Sequence, residues 1–483
     1  MQQLVGLIPA AGKGTRAYPY TKKTPKCMLE INGVPNLLRT IILMRDKLNI
    51  HDIYIVVGYH GETIQEYFSD GKKFDVQINY IENDAIDKGL AYSVSLGKKF
   101  INDYFLIILS DECYVNSNHY ELLSAPFRDA FATIAIKEVD NKLLIKQNYS
   151  VEIQHDYITK LIEKPKILTN NILGCGTFIF HPGIFQYIDH AFESADGKPV
   201  DFITLINNQC CQAEKVRYFK LKGEYVNIND RDSLHIAKYY VRENYFDKNE
   251  ITLLIYSEGD EDDIEFTINQ YKKAPCIHNI YVLFPEKNSI EDIVKSSGVK
   301  FLKCPPNLKL YGEKIKYGLE QIPGEIFIIT EANYSFSNRD ISKLIAYIKE
   351  ADMVIGTRTT RQLIQQRSNM RGIVRLANIL LAKFLELLWW DYECRFTDVG
   401  CTFRALWKST FYKIKENLVS KGPEFSVEMN LEILRARDRI IEIPVNYYGR
   451  SYSLYRKYQN LTTFFRMFQL ICLRSIIHYF KDR

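Results

Sequence analysis

The chain has 483 residues, of which 46% are hydrophobic and 25% are charged, and its formal net charge is +5. This length predicts two domains of roughly 200–250 residues each, and so small a charge argues against nucleic acid as the main partner. The cysteines form no C-x-x-C pair, so neither a disulfide framework nor a zinc site is expected, and a reducing cytoplasm fits. No run reaches the roughly 18 apolar residues of a membrane-spanning helix. The apolar N-terminal run predicts a buried strand, not a signal peptide.

Strand-like runs alternate with helical patterns along the whole chain, an order typical of α/β sheets with parallel strands. The runs lie at residues 53–58, 104–110, 132–136, 176–180, 251–256, 279–284, 325–330 and 353–356. The pattern restarts at Ile251, after a charged stretch at 242–250. The sequence therefore predicts an α/β chain with two domains in tandem, at residues 1–247 and 248–483.

The most informative motif is a glycine-containing loop that follows the apolar run at residues 4–9. Its sequence is Ala10-Ala11-Gly12-Lys13-Gly14-Thr15-Arg16. Because glycine has no Cβ, backbone N–H groups of such a loop can approach phosphate oxygens closely. Arg16 and Lys26 would bring cationic groups to the same place. The loop therefore predicts a site for a nucleoside triphosphate.

Three short motifs of the first half fit such a site. Asp111 follows the apolar run at 104–110, and ligands of open α/β sheets lie at strand ends of this kind. It is interpreted as a Mg²⁺ ligand or, alternatively, as a helix N-cap. Gly89 begins a second close-approach loop, suited to a base or a ribose. Glu163 and Lys164 precede a proline and are either substrate contacts or part of a surface turn.

Together these motifs resemble the sugar-1-phosphate nucleotidylyltransferases over about residues 3–240. The matching positions of the N-terminal signature are Ala10, Ala11, Gly12, Gly14, Thr15, Arg16, Pro19, Thr21, Pro25 and Lys26. The resemblance implies in-line attack of a sugar-1-phosphate oxygen on the α-phosphorus of a nucleoside triphosphate, with pyrophosphate leaving. It implies that Arg16 and the loop amides hold the pyrophosphate and that Lys26 stabilises charge at the α-phosphate.

The same resemblance implies the remaining roles in the first half. Asp111 would carry Mg²⁺. Lys164 would hold the sugar phosphate and Glu163 a sugar hydroxyl. Gly176, in a glycine segment at 174–178, would line the sugar pocket.

One segment departs from the family's pattern. The family ends its core with a W-x-D-I-G-T-like segment whose acid is the second metal ligand, and residues 225–230 here read Y-V-N-I-N-D. An amide oxygen can ligate Mg²⁺ but adds no negative charge. Either Asn229 is a weaker ligand, or the register shifts to Asp230. The segment also half resembles the I-D-D variant of cytidylyltransferases for phosphocholine-like alcohols, so an alcohol phosphate or a phosphonate is an alternative acceptor.

The second half begins with a strand-like run at 251–256 and an acidic cluster at 258–263, which is either solvated or, through Glu258, in contact with a nucleoside. Later segments resemble inverting glycosyltransferases of the dolichyl-phosphate mannose synthase type over about residues 251–455. They are Glu331-Ala332-Asn333, V-I-G-T-R at 354–358, T-D-V-G-C-T-F-R-A at 397–405, F-S-V-E at 425–428 and E-I-P-V at 442–445. The implied fold is two Rossmann-like (GT-A-like) nucleotide-binding domains in tandem.

This second resemblance implies that Asp398 orients or deprotonates the acceptor; alternatively, held near Arg404, it is purely structural. Glu331 and Asn333 stand where the family has a D-x-D pair for the metal of the sugar nucleotide. Because Asn333 carries no charge, two alternatives are open. The domain is an active enzyme with a relaxed metal site, or it binds without reacting.

Two segments predict membrane contact. Residues 373–390 form an apolar pattern that ends in Trp389 and Trp390, typical of an amphipathic helix at an interface. Residues 461–480 repeat the pattern, with aromatic and aliphatic side chains broadly on one side and Arg466, Arg474 and Lys481 on the other. The alternative is an ordinary helix packed on its domain or on a dimer face.

The whole sequence predicts a bifunctional, cytoplasmic enzyme. Its first half makes an NDP-sugar from an NTP and a sugar-1-phosphate, with Mg²⁺, and its second half passes the sugar to a polyprenyl phosphate or another lipid. A peripheral position on the inner face of the cell membrane is expected. Assembly of the chain into a homo-oligomer is a further possibility that the sequence leaves open. The competing hypothesis is an active nucleotidylyltransferase tethered by an inactive, binding-only domain.

Overall fold

In the computed structural model the chain divides into two compact units, Met1–Asn244 and Tyr245–Arg483. The structure describes residues 4–124, 126–195, 198–365, 368, 370, 372–392, 394–448 and 461–481. The boundary predicted from the sequence lies between residues 247 and 248. Among the described helices, none combines the length and the apolar character that crossing a bilayer requires.

The first unit alternates strands and helices. Its strands are β1 (Val5–Pro9), β2 (Glu30–Ile31), β3 (Val34–Pro35), β4 (Asp52–Val57), β5 (Gln77–Glu82), β6 (Phe105–Ile108), β7 (Glu112–Val115), β8 (Ala132–Glu138), β9 (Tyr149–Gln154), β10 (Tyr157–Glu163), β11 (Ile172–Phe180), β12 (Val216–Lys220) and β13 (Glu224–Asn227). Its α-helices are α1 (Asn36–Leu48), α2 (Gly61–Phe68), α3 (Gly89–Ser95), α4 (Leu143–Gln147), α5 (Ile184–Ser194), α6 (Phe202–Leu205), α7 (Cys211–Ala213) and α8 (Arg231–Tyr245).

The main sheet of the first unit has the strand order β5-β4-β1-β6-β11-β8-β12-β10-β9. Strands β5, β4, β1 and β6 are parallel, as the sequence predicts. The prediction is wrong for β11, which lies antiparallel to β6 and β8. Strands β9, β10 and β11 follow one another without an intervening α-helix. Parallel neighbouring strands need a long connection between them, which is usually helical. Since that connection is missing here, β9 pairs antiparallel with β10 and with β11.

The order of this sheet places the candidate site. Strand β1 lies between β4 and β6, so the chain winds to one side of β1 and then returns to the other. Such a change of direction leaves a crevice at the carboxyl ends of the two central strands. The glycine loop follows β1 and Asp111 follows β6, so both reach that crevice. The strands beneath them are buried, as expected for a sheet covered on both faces.

The second unit has strands β14 (Ile251–Tyr256), β15 (Asn279–Pro285), β16 (Lys300–Cys304), β17 (Ile326–Glu331), β18 (Met353–Thr357), β19 (Arg404–Trp407) and β20 (Ile440–Pro444). Its α-helices are α9 (Ile264–Tyr271), α10 (Glu291–Ser296), α11 (Tyr311–Gln321), α12 (Ile341–Ile348), α13 (Gly372–Leu388), α14 (Lys408–Ile414), α15 (Phe425–Arg435) and α16 (Leu461–Lys481).

The sheet of the second unit has the order β16-β15-β14-β17-β19-β18-β20. Strands β16, β15, β14 and β17 are parallel, and β19 is antiparallel to both of its neighbours, so the expected parallel sheet is again mixed. The winding changes direction between β14 and β17. The carboxyl ends of these strands carry Glu258 and Glu331, which the sequence singled out.

Helices α13 and α16 occupy the two segments predicted to be amphipathic. They pack together through stacked Phe384 and Phe468 rings, whose centroids lie 4.8 Å apart. The sequence places Arg474 on the basic outer side of the tail, and this is wrong. Its side chain is 14% exposed and forms ion pairs with Glu428 and Glu432, because α15 packs against that side of α16. Arg466 is exposed, and the Lys481 side chain lies outside the described residues.

Candidate functional site

Four side chains meet at the carboxyl ends of β1 and β6. Lys26 Nζ donates to Asp111 Oδ2 at 2.6 Å and to Asn229 Oδ1 at 3.0 Å. Arg16 Nη2 donates to the same Asn229 oxygen at 2.8 Å. The sequence predicted these residues for one site, and the structure brings all four together. Two cations thus face one carboxylate and one neutral amide, so the cluster has a net positive charge.

The glycine loop is shaped so that its backbone stays open. Gly14 has φ +60°, and a Cβ added there would lie 2.9 Å from Lys26 Cβ, so a side chain would displace the lysine. A Cβ on Gly12 would meet nothing within 4 Å. Ala10 and Ala11 are buried, so their side chains contribute little to the surface of the loop. Thr15 begins a short 3₁₀ turn that carries Arg16.

The structure separates the roles of Asn229 and Asp230. Asp230 precedes α8, and its carboxylate accepts hydrogen bonds from Ser233 N at 2.9 Å and from Ser233 Oγ at 2.6 Å. This arrangement is that of a helix N-cap. Burial alone would raise the pKa of Asp230, but the bonds from Ser233 and the charges of Arg16 and Lys26 hold it below its ordinary value. The side chain in the cluster is therefore the amide.

A cavity of about 460 Å³ opens beside the cluster. The residues predicted from the sequence that line it are Arg16, Gly89, Asp111, Glu163, Lys164, Gly176 and Asn229. Gly89 begins α3 with φ +84°, and a Cβ there would meet nothing within 4 Å, so it leaves that wall open. A volume of this size suits a small ligand.

Glu163 and Lys164 stand at the end of β10. Lys164 Nζ lies 3.2 Å from Glu163 Oε1, and the Lys164 side chain is mostly exposed. Burial raises the pKa of Glu163, and the nearby Lys164 opposes that shift only in part. Lys164 has φ +42°, and its backbone N–H donates to Asn148 at 2.7 Å. Both side chains line the cavity.

The floor of the cavity contains a carboxylate that the sequence did not single out. Glu112 is buried and accepts hydrogen bonds from Tyr114 at 2.6 Å, Tyr225 at 2.8 Å and the Gly176 N–H at 2.9 Å. Burial, reinforced by the charge of Asp111, raises the pKa of Glu112 to about 7. A Cβ on Gly176 would lie 2.6 Å from this carboxylate, so the glycine is a packing requirement. The only sequence signal was a second acid directly after Asp111.

Asp111 and Asn229 are the residues that could hold a metal ion. Their oxygens converge on one cation, the Lys26 ammonium, which shows that both point to a common place. Mg²⁺ typically takes one or two carboxylates together with phosphate oxygens and waters. Across the described residues no group of three or more His, Cys, Asp or Glu side chains could hold a metal. The pair therefore fits a Mg²⁺ ion completed by a bound triphosphate, once Lys26 moves toward that phosphate.

Residues 5–243 match a family model described as nucleotidyl transferase. Within this stretch, the UTP–glucose-1-phosphate uridylyltransferase AglF of Haloferax volcanii is 33% identical over 183 residues, which cover 37% of this chain and 73% of AglF. The chain belongs to the nucleotidyl transferase family. The match ends inside the first unit, and the four-residue cluster and its cavity lie within it.

Other nucleotidyl transferases are similar to the same half. The bifunctional protein GlmU of Methanococcus aeolicus is 31% identical over 240 residues, which cover 49% of this chain and 54% of GlmU. The chain thus spans about half the length of that relative. A crystal structure of UDP-glucose pyrophosphorylase complexed with UDP-glucose aligns with 51% of this chain and 100% of its own, at 21% identity and a TM-score of 0.43.

The second unit, outside the family match, holds Glu331 and Asn333 at the end of β17. Thr402 Oγ1 donates to Glu331 Oε1 at 2.6 Å, and Asn333 Nδ2 donates to Glu331 Oε2 at 3.3 Å. The Asn333 oxygen accepts from Ser335 N and Oγ, at 3.1 and 2.5 Å. Because the Ser335 N–H needs an acceptor, the amide cannot be flipped to offer that oxygen beside Glu331. The two side chains therefore do not fit a two-oxygen metal site.

Asp398 is fully buried, at 0% exposed. Its two oxygens accept from Arg358 Nε at 2.7 Å and Arg358 Nη2 at 2.8 Å, so its partner is Arg358 and not the Arg404 expected from the sequence. The catalytic assignment of Asp398 stays a prediction, and it requires this pair to open. Glu258, at the end of β14, is also largely buried. It accepts from Tyr256 at 2.5 Å and lies 3.4 Å from Lys314.

Proposed function

We propose that the first unit transfers a nucleotidyl group from an NTP to a sugar-1-phosphate and releases pyrophosphate. The observation that carries the proposal is the convergence of Arg16, Lys26, Asp111 and Asn229 beside a cavity lined by Glu163 and Lys164. Membership of the nucleotidyl transferase family supports it. The activity for which AglF is named makes UTP and glucose-1-phosphate the first pair to test.

The chemistry needs positioning and charge, not a covalent intermediate. Arg16 and the loop amides hold the β- and γ-phosphates, which leave as pyrophosphate. Lys26 exchanges its contact with Asp111 for the α-phosphate, where negative charge develops during the attack. Lys164 holds the phosphate of the incoming sugar, and Glu163 accepts a hydrogen bond from a sugar hydroxyl.

Asp111 and Asn229 would hold Mg²⁺, which supplies charge neutralisation for the triphosphate when bound. Since Asn229 is neutral, the ion has one carboxylate ligand from this pair instead of two. We expect a weak site that depends on the phosphate oxygens. The charges of Arg16 and Lys26 compensate in part for the missing carboxylate, because both side chains already donate to the same Asn229 oxygen.

A pyrophosphate-release screen of the full chain tests the first-unit proposal. Each of five nucleotides, ATP, CTP, GTP, UTP and dTTP, is paired with glucose-1-phosphate, other sugar-1-phosphates, phosphocholine and a phosphonate. The masses of the products are measured by mass spectrometry. Release with a sugar-1-phosphate and a mass equal to an NDP-sugar supports the proposal. Release with phosphocholine or the phosphonate alone supports the cytidylyltransferase alternative. No release with any pair contradicts both.

The proposal for the second unit is transfer of the sugar from that NDP-sugar to a lipid phosphate or another acceptor, at the inner face of the cell membrane. The sheet with its change of direction between β14 and β17, and the placement of Glu258 and Glu331 at their ends, support a nucleotide-sugar site there. The inactive, binding-only alternative is favoured by the turned amide of Asn333 and by the closed pair of Asp398 with Arg358.

Turnover of a radiolabelled NDP-sugar, with and without an extracted lipid fraction, separates these two hypotheses. Label that moves into the organic phase and does so at least tenfold more slowly in Asp398→Asn supports glycosyl transfer. Saturable binding of the NDP-sugar without any transfer supports the binding-only domain. Absence of both binding and transfer contradicts either function for the second unit.

A further inference from the structure

Helices α13 and α16 expose apolar side chains along one face of each helix. On α13 the exposed residues recur at helical spacing and are Ile373, Leu376, Leu380 and Leu387. On α16 they are Phe465, Phe468, Leu473, Ile476, Tyr479 and Phe480. The stacked rings of Phe384 and Phe468 join the two rows into one surface, called here the paired-helix face. Monomeric proteins rarely expose an apolar surface of this extent without a binding role.

The charges of the paired-helix face have one sign. The sequence of α16 contains no acidic residue, and α13 contains only Glu386. Glu386 is buried and pairs with Lys383 at 2.8 Å. Arg466 is exposed on α16 and Lys383 is half-exposed on α13. Such a face is complementary to an apolar medium that carries negative charge at its surface.

A cavity of about 500 Å³ opens at the C-terminal end of this face. Its walls are mainly apolar and aromatic, and include Leu388, Trp389, Cys472, Ile476 and Phe480. Two polar groups of its lining have partners: Trp389 Nε1 donates to Ser475 at 2.8 Å, and the Tyr392 hydroxyl lies 2.6 Å from His478 Nε2. The indole and the phenol therefore leave the walls mainly apolar.

One cation stands at the wall of this cavity. Arg437 follows α15 and places its guanidinium 3.9 Å from the centre of the Tyr392 ring. It has φ +61°, a conformation that costs free energy for a residue other than glycine. Within the described part of the chain, no carboxylate lies within ion-pairing distance of Arg437. An unpaired cation beside apolar walls is the pattern that recognises an anionic amphiphile.

We propose that the paired-helix face rests on an anionic phospholipid bilayer and that its cavity takes one acyl chain, with Arg437 at the lipid phosphate. The exposed rows extend well beyond the cavity, so a bilayer covers them where a single free lipid would not. The cavity lies at the far end of α13 from Arg375, which donates to Thr359, and Trp389 lies 14 residues further, or about 21 Å at 1.5 Å per residue. The segment before Asp398 nevertheless contacts α13, because the Phe396 N–H donates to Glu386. The inference adds a lipid-binding surface to the proposed function of the second unit and does not require transfer.

Vesicle binding by the full chain tests this site. Sedimentation compares phosphatidylcholine vesicles with vesicles that also contain anionic phosphatidylglycerol. Arg437→Asn keeps a residue that tolerates the left-handed backbone. We expect it to weaken binding to the anionic vesicles about fivefold, the equivalent of about 1 kcal/mol per surface cation. Arg439→Asn, an equal charge change at an exposed residue outside the cavity lining, should leave binding unchanged.

Tryptophan quenching tests the acyl chain itself. In Trp390→Phe, Trp389 reports the cavity, and the remaining Trp407 is packed in the second sheet. Lipids brominated along the acyl chain should quench Trp389. Cys472→Phe, which fills the cavity, should abolish that quenching while vesicle binding persists. Near-UV circular dichroism checks that each variant is folded, and neither readout uses catalysis.

Three results would overturn the proposal. One is equal binding to neutral and anionic vesicles, or equal effects of the two arginine substitutions. Another is unchanged quenching in Cys472→Phe. The third is a dimer in light scattering that Leu387→Ser converts to monomer, because a second copy would then cover the paired-helix face.

Discussion

Lys26 donates to the Asp111 carboxylate at 2.6 Å although 85 residues separate the two in the chain. The pair closes the crevice between β1 and β6, and its lysine also reaches Asn229. A partly buried ion pair of this kind contributes modestly to stability, because desolvation offsets much of its attraction. Its value lies in holding a cation ready beside the place where a triphosphate would bind.

Lys26→Ala should lower pyrophosphate release by about 100-fold or more, the usual effect of removing a group that stabilises transition-state charge. Lys98→Ala is the matched control, because Lys98 also pairs with a carboxylate, that of Asp189 at 2.5 Å, but on the surface. We expect normal turnover in this control. Both rates are measured with the NTP and acceptor found in the screen. Near-normal turnover of Lys26→Ala, with the fold intact, would remove Lys26 from the mechanism.

Asn229→Asp should lower the Mg²⁺ concentration needed for half-maximal pyrophosphate release, because a second carboxylate then faces the ion. Asp230→Ala should leave that concentration unchanged and reduce the free energy of unfolding by about 1 kcal/mol, the typical effect of losing a helix cap. A Mg²⁺ titration and urea unfolding measure the two effects. The opposite pattern would mean that Asp230 is the metal ligand.

Gly176→Ala should impair use of the sugar phosphate, since its Cβ would lie 2.6 Å from the buried Glu112 carboxylate and force the cavity floor to move. Gly12→Ala has no such conflict, as its Cβ would meet nothing within 4 Å. We expect Gly176→Ala to raise KM for the sugar phosphate and Gly12→Ala to raise KM for the NTP alone. Equal effects on both substrates in either variant would contradict this division of the site.

Stability of the second unit should fall as pH rises through the titration of Glu442. Burial, reinforced by the charge of Asp398, raises the pKa of Glu442 to about 7 against hydrogen bonds from Thr397. A group whose folded pKa exceeds its unfolded value stabilises below the unfolded pKa, and that contribution is lost as pH rises through the folded pKa. The window runs from about 4.5 to about 7, and the loss is up to about 3 kcal/mol.

Tryptophan fluorescence during urea unfolding at pH 5 and pH 8 measures this loss, because all three tryptophans, Trp389, Trp390 and Trp407, lie in the second unit. Glu442→Gln cannot titrate, so its free energy of unfolding should depend less on pH than that of the wild type. A wild type and a Glu442→Gln variant with identical pH dependence would show that Glu442 stays ionised in the folded state.

The sequence predicted the parts of the first site that depend on local chemistry. Arg16, Lys26 and Asp111 follow strands or a glycine loop, and strand ends of a parallel sheet meet by topology. Which of Asn229 and Asp230 lies in the cluster was not predictable, because the Asp230 carboxylate bonds to Ser233 at the start of α8 instead. Glu112 was missed because two of its three partners, Gly176 and Tyr225, come from distant segments.

The second unit shows the same limit. Helical periodicity identified α13 and α16 but placed Arg474 at the surface, because the sequence of one helix does not reveal the Glu428 supplied by α15. The partner of Asp398 was likewise assigned to Arg404, six residues along, whereas the structure pairs Asp398 with Arg358, which directly follows β18. The antiparallel placement of β11 and β19 also depends on neighbours that hydrophobic patterning does not specify.

The most direct measurement of the central claim is a crystal structure of the chain with Mg²⁺ and a non-hydrolysable analogue of the NTP found in the screen. We predict the triphosphate on the glycine loop, with Lys26 Nζ moved from Asp111 to an α-phosphate oxygen and Asp111 beside the metal. A triphosphate bound elsewhere, with the 2.6 Å contact between Lys26 and Asp111 intact, would contradict the account.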